Sequence, residues 1–376
     1  MFPEKFRIFY TQCPLTIGQN QYRINSRNGK NNSKMHTIKE IINKKEYEFL
    51  HTSKHLKNKL IFLVFGGSHA YGTATPNSDI DIRGCAFNSK SDLIGLSNFD
   101  QMVEPDTDTT IYSFNKLVNL FINVNPNSIE MLGCKPEHYV IFSPVAQEMI
   151  DNRKMFLSKR AIQSFGGYAG QQLRRLQNAV ARDALAQPEK EKHILRSAKS
   201  AMNSFKDRYE SFEEGSIKLY IDKSTKTDLE TEIFMDANLK KYPLRDYKSI
   251  WSELNAIVKA YGKLNHRNNK KDEMHLNKHA MHLVRLYLMA FDILEKEEII
   301  TYREEDREFL LSIRNGIFQK EDGTYKQEFF EQIDKYEKRL KFAAENTSLP
   351  AKPDYEQIEE FVMDVNKMVI VEREGY

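Results

Sequence analysis

The alternation of apolar and polar positions divides the chain into a mixed front half and a helical back half. The apolar run Leu60–Phe65 ends in two glycines, a pattern typical of a buried strand. Two further strands are predicted at 79–87 and 109–114, with a short helical turn and a loop between the first two. A helix is predicted before them at 36–56. The front half is therefore predicted to contain a small sheet with accompanying helices.

Two helix starts are marked by a capping side chain followed by proline. Asn125-Pro126 and Ser143-Pro144 each place a hydrogen-bond acceptor before a first helical position, where proline sacrifices no hydrogen bond. Beyond residue 158 the apolar residues recur mainly at helical spacing. The helices predicted in this part cover 158–186, 188–212, 247–261, 272–297, 302–316, 325–346 and 353–371.

These elements predict an α+β fold with a small mixed sheet, followed by a mostly helical C-terminal domain. The predicted domains are an α/β domain at 36–155 and a helical domain at 156–376, with an insertion near 216–242. The segment 25–34 is polar and lacks apolar periodicity, so we expect residues 1–35 to form a flexible extension, with Met35 as a candidate native start.

Composition narrows the class of protein only slightly. The net charge of +3 over 376 residues is too small to indicate nucleic-acid binding by itself. No apolar run approaches the roughly 20 residues that cross a bilayer, and the first residues lack the order of a secretory signal. The three cysteines are widely spaced without a CxxC pair. We therefore expect a cytoplasmic protein with reduced thiols, no disulfide partner and no membrane contact.

A pair of carboxylates is the first candidate for chemistry. Residues two apart on a strand share a face, so Asp79 and Asp81 would point one way, and Ile80 and Ile82 the other. Two adjacent carboxylates repel each other unless a cation lies between them, and their hard oxygen ligands suit Mg²⁺. A solvated edge strand is the alternative interpretation.

The glycine turn that precedes this pair is the second candidate. Gly66 and Gly67 carry no side chain, so the backbone can approach a ligand closely. Backbone N–H groups there and the hydroxyl of Ser68 could bind the terminal phosphates of a nucleoside triphosphate. For an isolated Gly-Gly-Ser the plain tight turn is the better interpretation, so the argument depends on the acids that follow.

The combination resembles the signature of the DNA polymerase β-like nucleotidyltransferase superfamily. That signature is carried here by Gly67, Ser68, Asp79 and Asp81. The longer segment 67–84 is similar to a narrower group, the YcgL-like predicted nucleotidyltransferases of bacteria and phages, which are associated by name with RNA repair.

Two later segments, 125–132 and 278–285, also resemble that group. The resemblance covers about 60–320, more strongly at the front than behind, and leaves the N-terminal extension and the 216–242 stretch uncovered.

The resemblance implies a third carboxylate from a neighbouring strand. Asp108 is the candidate, because the predicted strand 109–114 follows it. Asp106 is the alternative and would share a face with Asp108 if the strand extends back that far; a loop acid is the plain interpretation. Arg83 is expected on the face opposite Asp81, either paired with a structural acid or part of the site.

A basic helix face is the candidate for phosphate contact in the helical half. Lys278, His282 and Arg285 occupy positions i, i+4 and i+7, which lie on one side of a helix. They could bind phosphate of the nucleotide or of the acceptor. A solvated basic face is one alternative, and a histidine metal site at His275 and His279 is another.

The function implied by the resemblance is a Mg²⁺-dependent nucleotidyltransferase. It would use two Mg²⁺ ions, with Mn²⁺ as an alternative, to transfer a nucleoside monophosphate from an NTP to an acceptor hydroxyl with release of pyrophosphate. An RNA 3′ end is the favoured acceptor, and a protein side chain or small molecule stays open. The alternatives are a non-catalytic nucleotide-binding or antitoxin-like module of the same fold, and a glycosyltransferase that uses Asp79 and Asp81.

Overall fold

The computed structural model describes residues 41–76, 78–184 and 273–371, together with 217–225, 231–238 and scattered positions between 189 and 255. The extension predicted at 1–35 lies outside the described residues, as do most of the helices predicted at 188–212 and 247–261.

The chain forms two compact units. The first takes in the described residues up to Tyr168, together with Leu286–Glu308 and the described part of Lys338–Tyr376. The second consists of the described parts of Ala169–Arg285 and Phe309–Glu337. Segments from the C-terminal half thus belong to the same unit as the front half. The domain boundary expected between residues 155 and 156 stays a prediction.

A five-stranded sheet forms the centre of the first unit. Its strands are β1 (Leu60–Phe65), β2 (Ile82–Ala86), β3 (Gln101–Glu104), β4 (Thr109–Ser113) and β5 (Tyr139–Phe142). They are ordered β3-β4-β2-β1-β5. Strands β2 and β4 run parallel, whereas the other neighbouring pairs are antiparallel. The predicted mixed sheet and α+β class are confirmed.

The predicted strands differ from the observed ones at the edges and at one boundary. Strands β1 and β4 were expected, but the edge strands β3 and β5 have only four residues each and were missed. Strand β2 begins at Ile82, three residues later than predicted, so Asp79 and Asp81 precede it. The short edge strands have too few residues to show a clear alternation.

Eleven α-helices have both ends among the described residues. They are α1 (Phe49–Thr52), α2 (Gly67–Tyr71), α3 (Lys90–Ile94), α4 (Phe114–Ile122), α5 (Pro126–Ile129), α6 (Pro144–Asp151), α7 (Arg160–Ala184), α8 (Glu273–Lys296), α9 (Arg307–Arg314), α10 (Gln327–Asn346) and α11 (Tyr355–Val371). Helices α7, α8, α10 and α11 agree with the prediction to within about two residues, whereas α9 begins five residues late. No helix in the described part of the chain is both long enough and apolar enough to cross a membrane.

The helix predicted at 36–56 is not continuous where it is described. Lys44 takes an extended conformation, with φ −71° and ψ 155°, and a 3₁₀ turn at Lys45–Tyr47 separates it from α1. The break allows both Tyr47 and Leu50 to be buried in the core. Packing of the apolar side chains therefore prevails over the helical periodicity that the sequence suggests.

The two capping predictions are confirmed. Asn125 accepts a hydrogen bond from the backbone N–H of Asn127 at 3.0 Å, and Ser143 accepts one from Ala146 at 3.2 Å. Each satisfies an N–H group that a helix start leaves without an intrahelical partner. The predicted insertion near 216–242 contains an antiparallel hairpin of β6 (Ile217–Lys223) and β7 (Thr231–Ala237).

One face of the sheet is covered by apolar residues from the N-terminal described segment. Its cluster is formed by Tyr47, Leu50, Leu56, Leu63, Ile82, Ala86, Phe99 and Ile111. Ile80 packs against the same cluster. Because side chains alternate along an extended segment, Asp81 and Arg83 point away from this core. The expected alternation of acids and isoleucines is therefore observed around Asp81.

The last helix also packs against the sheet unit. The ring of Phe361 in α11 meets that of Phe114 edge to face, with centroids 5.7 Å apart. The side-chain amide of Asn366 donates to the side-chain oxygen of Asn115 at 3.1 Å. The C-terminal end of the chain thus supports the helix that follows β4.

Candidate active site

Hydrogen bonds at the start of β2 bring three chain segments together. The backbone N–H of Gly66 donates to the carbonyl of Asp81 at 2.8 Å, and that of Ile82 donates to the carbonyl of Asp108 at 3.2 Å. In the parallel pair, Ile82 lies opposite Thr109. Asp81 and Asp108 therefore occupy matching positions, each one residue before its strand.

The glycine turn is packed directly on the carboxylate of Asp81. Gly67 has φ +53°, in the left-handed region that side chains disfavour. A Cβ at Gly67 would lie only 1.7 Å from Oδ2 of Asp81. Glycine is therefore required here both by the backbone conformation and by the contact. The turn that was predicted to bind phosphate and one predicted metal ligand form a single local structure.

Asp108 also has an unusual backbone. It takes a left-handed conformation, with φ 43° and ψ 44°, at the end of the 3₁₀ turn Pro105–Thr107. The buried hydroxyls of Thr107 and Thr109 lie 2.9 Å apart and bridge the turn to β4. Because 105–107 is a turn, the strand does not extend back to Asp106, and the condition for the two acids to share a strand face is not met. Of these two acids, the structure places Asp108 in line with Asp81.

Arg83 lies between the two acids. Its Nη2 is 3.8 Å from Oδ1 of Asp81 and 3.3 Å from Oδ1 of Asp108. The expectation that Arg83 faces away from Asp81 is wrong, because residues two apart in an extended segment project to the same side. Burial raises the pKa of the nearby Tyr112 hydroxyl, and the charge of Arg83 opposes that rise.

The remaining members of the predicted acid site are less enclosed. Asp79 is exposed and precedes β2, and Ser68 is half-buried in the first turn of α2. Among the residues that the structure describes, no three His, Cys, Asp or Glu side chains form a ready-made metal site. Asp81, Asp108 and Gly67 are thus brought together, whereas Asp79 is not held against them.

The sequence did not reveal a buried contact behind the glycine turn. Glu130 is only 6% exposed, and the phenol of Tyr71, the last residue of α2, donates to its carboxylate. The hydroxyl of Thr301 donates to the carbonyl of Glu130 at 2.6 Å. Glu130 lies in the 125–132 segment singled out by resemblance, but its place in a helix start gave no hint of this partner.

A second supporting contact involves a segment that was given no role. Gly72 ends α2 with φ 77°, and a Cβ there would lie 2.6 Å from the ring of Tyr302. Arg307 donates through Nε to the carbonyl of Gly72 at 2.7 Å. Residues 302–307, about 230 residues further along the chain, thus contact the end of α2.

The two described cysteines are poor nucleophiles. Cys85 and Cys134 are both free thiols, and Cys13 lies outside the described residues. Burial raises the pKa of the Cys85 thiol, and burial together with Glu130 raises that of Cys134. Neither thiol has the lowered pKa of a reactive cysteine.

The predicted basic residues lie together on α8, in the second unit. Lys278 is exposed, His282 is half-buried and Arg285 is only 2% exposed. Nη2 of Arg285 lies 2.6 Å from Nδ1 of His282. Since the guanidinium can only donate, Nδ1 must be the acceptor in this contact.

The His282 imidazole is neutral at ordinary pH. Its burial, followed by the positive charges of Arg285, His279, Arg175 and Lys278, lowers its pKa from 6.5 to about 2. The members of this basic cluster (Arg175, Lys278, His279, His282 and Arg285) therefore differ in accessibility and in charge.

A comparison with protein-family models identifies the family of the chain. Residues 34–221, half of the 376, match the RlaP model, which describes the RNA repair pathway DNA polymerase beta family. The chain belongs to this family. The resemblance inferred from the sequence is thereby confirmed, and the matched range contains the glycine turn, Asp79, Asp81 and Asp108. Lys278, His282 and Arg285 lie beyond it.

Family membership gives this chain a polymerase β-like domain at the front, in agreement with the mixed sheet. No curated protein and no solved structure matches the chain.

Proposed function

We propose that this protein is a Mg²⁺-dependent nucleotidyltransferase that transfers a nucleoside monophosphate from an NTP to an acceptor hydroxyl. The observation that carries the proposal is the contact of Gly67 with the carboxylate of Asp81, beside Asp108, which immediately precedes the parallel strand β4. It joins a turn suited to phosphate with acids suited to metal. The favoured acceptor is an RNA 3′ end, because the family is named for RNA repair.

Two observations support binding of a divalent cation by the acids: the chemistry of their oxygen atoms, and the positive charge that they already share. Asp81 and Asp108 already share one cation, the guanidinium of Arg83. With the exposed Asp79 they would offer carboxylate oxygens, the ligands that Mg²⁺ prefers. Two bound Mg²⁺ ions would neutralise the triphosphate and lower the pKa of the acceptor hydroxyl. Mn²⁺ would be an acceptable substitute.

The roles of the protein groups in the transfer follow from their positions. The backbone N–H of Gly67 and the hydroxyl of Ser68 would donate to the terminal phosphates. Asp108, with its side chain 59% exposed, would accept the proton of the acceptor hydroxyl. The acceptor oxygen forms a bond to the α-phosphorus, the bond from that phosphorus to the α–β bridging oxygen breaks, and pyrophosphate leaves.

The basic cluster would contribute to phosphate binding. Lys278, His282 and Arg285 remain its candidates, and the exposed ammonium of Lys278 is the one that solvent reaches most readily. His282 would act there as a neutral hydrogen-bonding group, because its pKa is lowered to about 2 by burial and by the surrounding positive charges.

A transfer assay tests the proposal. The protein would be incubated with Mg²⁺, each α-³²P-labelled NTP in turn, and RNA ending in either a 3′-hydroxyl or a 3′-phosphate. We expect label on the hydroxyl-ended RNA alone, with release of pyrophosphate, and neither product with Asp81→Asn. If folded, NTP-binding wild type labels no RNA, protein or small-molecule acceptor and releases no pyrophosphate, the proposal is wrong.

The second candidate is a non-catalytic nucleotide-binding or antitoxin-like module. The absence of a three-ligand cluster among the described residues favours it, as does the compensation of two acids by Arg83. Equilibrium dialysis of NTPs against wild type and Asp81→Asn separates the two. Equal NTP binding to both, without turnover by either, would support the module over the enzyme.

A further inference from the structure

Arg83 is held at the acid site by its backbone neighbours as well as by the acids. Its Nη1 donates to the carbonyl of Asp108 at 2.6 Å and to that of Ile82 at 3.0 Å. Nη1 and Nη2 each donate to Oδ1 of Asp108 at 3.3 Å. This fork fixes a positive charge at the point where β2 and β4 both begin.

The position of Arg83 is a consequence of the strand register. Asp81 and Arg83 share one face, and the parallel pairing aligns Arg83 with Thr110 and Ile82 with Thr109. The guanidinium therefore reaches the acids of both strands at once. The side chains of Arg83 and Asp81 are only 23% and 20% exposed, so solvent screens their interaction incompletely.

The fixed positive charge of Arg83 acts on the two carboxylates and on any divalent cation that approaches them. It brings Asp81 and Asp108 together without metal, and it repels a second cation that approaches the same oxygens. A triphosphate bound at the adjacent glycine turn would offer the guanidinium another partner, since arginine pairs with phosphate in the same forked manner. Release of the carboxylates would then accompany nucleotide binding.

We propose that Arg83 couples cation binding to nucleotide binding by occupying the shared carboxylates until a triphosphate is present. The inference rests on the proposed function and adds a regulatory role at the same site. According to this proposal, the divalent cation binds weakly to the nucleotide-free protein and tightly to the protein that has nucleotide bound. By reciprocity, the cation strengthens nucleotide binding by the same factor.

The first test measures Mn²⁺ binding to nucleotide-free protein by the loss of the free-ion EPR signal. Replacing Arg83 with Gln removes one positive charge close to the site. We expect Arg83→Gln to bind Mn²⁺ about tenfold more tightly than wild type, from the screened repulsion of a unit charge a few ångströms away. Arg83→Lys keeps the charge, so its Mn²⁺ affinity should stay close to that of wild type.

The matched control is Arg153→Gln. Arg153 is also half-buried and donates to a backbone carbonyl, that of Ile150, at 2.8 Å. Its replacement should leave Mn²⁺ affinity unchanged. Thermal unfolding of each variant establishes that it folds.

The second test measures coupling. The affinity of the protein for an equimolar mixture of α,β-methylene analogues of the four common NTPs is measured in saturating Mn²⁺ and again in EDTA. In wild type, Mn²⁺ should strengthen analogue binding strongly, whereas in Arg83→Gln the strengthening should be several-fold smaller. If Arg83→Gln does not fold, wild type still decides, because analogue binding that is equal with Mn²⁺ and EDTA overturns the inference.

The outcomes separate this inference from the proposed function. If wild type binds Mn²⁺ at Asp81 and Arg83→Gln binds it no more tightly, the role of Arg83 is wrong and the enzyme proposal stands. If wild type and Arg83→Gln both fold and neither binds Mn²⁺, with or without the analogues, both proposals fail.

Discussion

The acid site and the basic cluster differ in how their charges are balanced. At the acid site, Arg83 lies between Asp81 and Asp108, so charges of opposite sign compensate each other. In the basic cluster, burial and neighbouring positive charges leave His282 neutral. The pair Asp79 and Asp81, like the basic residues of α8, was predicted from side chains that share one face of an element, whereas Asp108 came from the family resemblance. The comparison shows that shared spacing identifies neighbours, whereas burial and the sign of nearby charges decide what those neighbours can bind.

The largest effect is expected from loss of a site carboxylate. Asp81→Asn keeps the shape of the side chain but removes the charge that would bind Mg²⁺. Transfer activity should fall about 1,000-fold or more, as expected for loss of a ligand that places a catalytic cation. The measurement is the initial rate of pyrophosphate release.

Asp106→Asn is the matched control for this substitution. Asp106 is an exposed acid two residues from Asp108, in the turn at 105–107. It should retain the wild-type rate within about threefold, since no site cation depends on it. A loss as large as that of Asp81→Asn would make Asp106 the third carboxylate and contradict the site described above.

The contact between turn and acid gives the next largest effect. Gly67→Ala places a methyl group 1.7 Å from the Asp81 carboxylate in a left-handed backbone. Activity should fall about 100-fold because the acid must move, and the unfolding free energy should fall by about 1 kcal/mol or more. Pyrophosphate release and urea denaturation report the two effects.

Gly167→Ala provides the comparison for Gly67→Ala. A Cβ at Gly167 would contact nothing within 4 Å in helix α7. That variant should be more stable than wild type by about 0.5–1 kcal/mol, because alanine favours a helix. If Gly67→Ala also raises the unfolding free energy, the close packing of Gly67 on Asp81 is contradicted.

The buried contact behind the turn should affect stability more than chemistry. Tyr71→Phe removes the hydroxyl that donates to Glu130, leaving a buried acceptor with one donor fewer. The unfolding free energy should fall by about 2 kcal/mol, the usual cost of depriving such a group of its partner. Tyr355→Phe, at a tyrosine that is 43% exposed, should cost less than about 0.5 kcal/mol in the same urea titration. Equal losses would remove the argument for this support.

The basic cluster gives the smallest effect, and it depends on pH. The folded protein keeps His282 neutral with a pKa of about 2, whereas the unfolded chain takes up a proton near the ordinary 6.5. The contribution of His282 to the unfolding free energy is therefore complete above pH 6.5 and is lost progressively as the pH falls below 6.5. Between pH 6.5 and 5.5 the loss should be about 1 kcal/mol by linkage.

His282→Asn should remove this part of the acid dependence while keeping an acceptor for Arg285. The exposed His51, replaced by Gln, should leave the dependence as in wild type. Urea denaturation at the two pH values measures the difference. An unchanged slope in His282→Asn would show that His282 is not buried in its neutral form.

The sequence predicted the elements whose physical cause is local. The run Leu60–Phe65 is continuous in its apolar character, and the Asn-Pro and Ser-Pro pairs carry their capping groups beside the helix they begin. The long helices repeat their apolar spacing over several turns. Short elements fixed mainly by tertiary contacts were missed, as with β3, β5 and the break near Lys44.

Two of the three acids suggested by the sequence lie close together in the structure, whereas Asp79 is exposed and is not held against them. Asp81, Asp108 and Gly67 were identified from spacing and resemblance, and the structure brings them together. The role of Glu130 depends on Tyr71, 59 residues away, and on Thr301, 171 residues away. No local pattern reports such contacts. Arg83 was misplaced through an error about strand alternation, although its position two residues after Asp81 already puts both on one face.

The most direct test of the account locates Mn²⁺ in crystals of the wild-type protein grown with Mn²⁺ and a non-hydrolysable NTP analogue. Anomalous scattering should show Mn²⁺ bound by the carboxylates of Asp81 and Asp108, with the triphosphate against Gly67 and Ser68. A nucleotide bound elsewhere, or bound at this turn with no Mn²⁺ at either carboxylate, would contradict it.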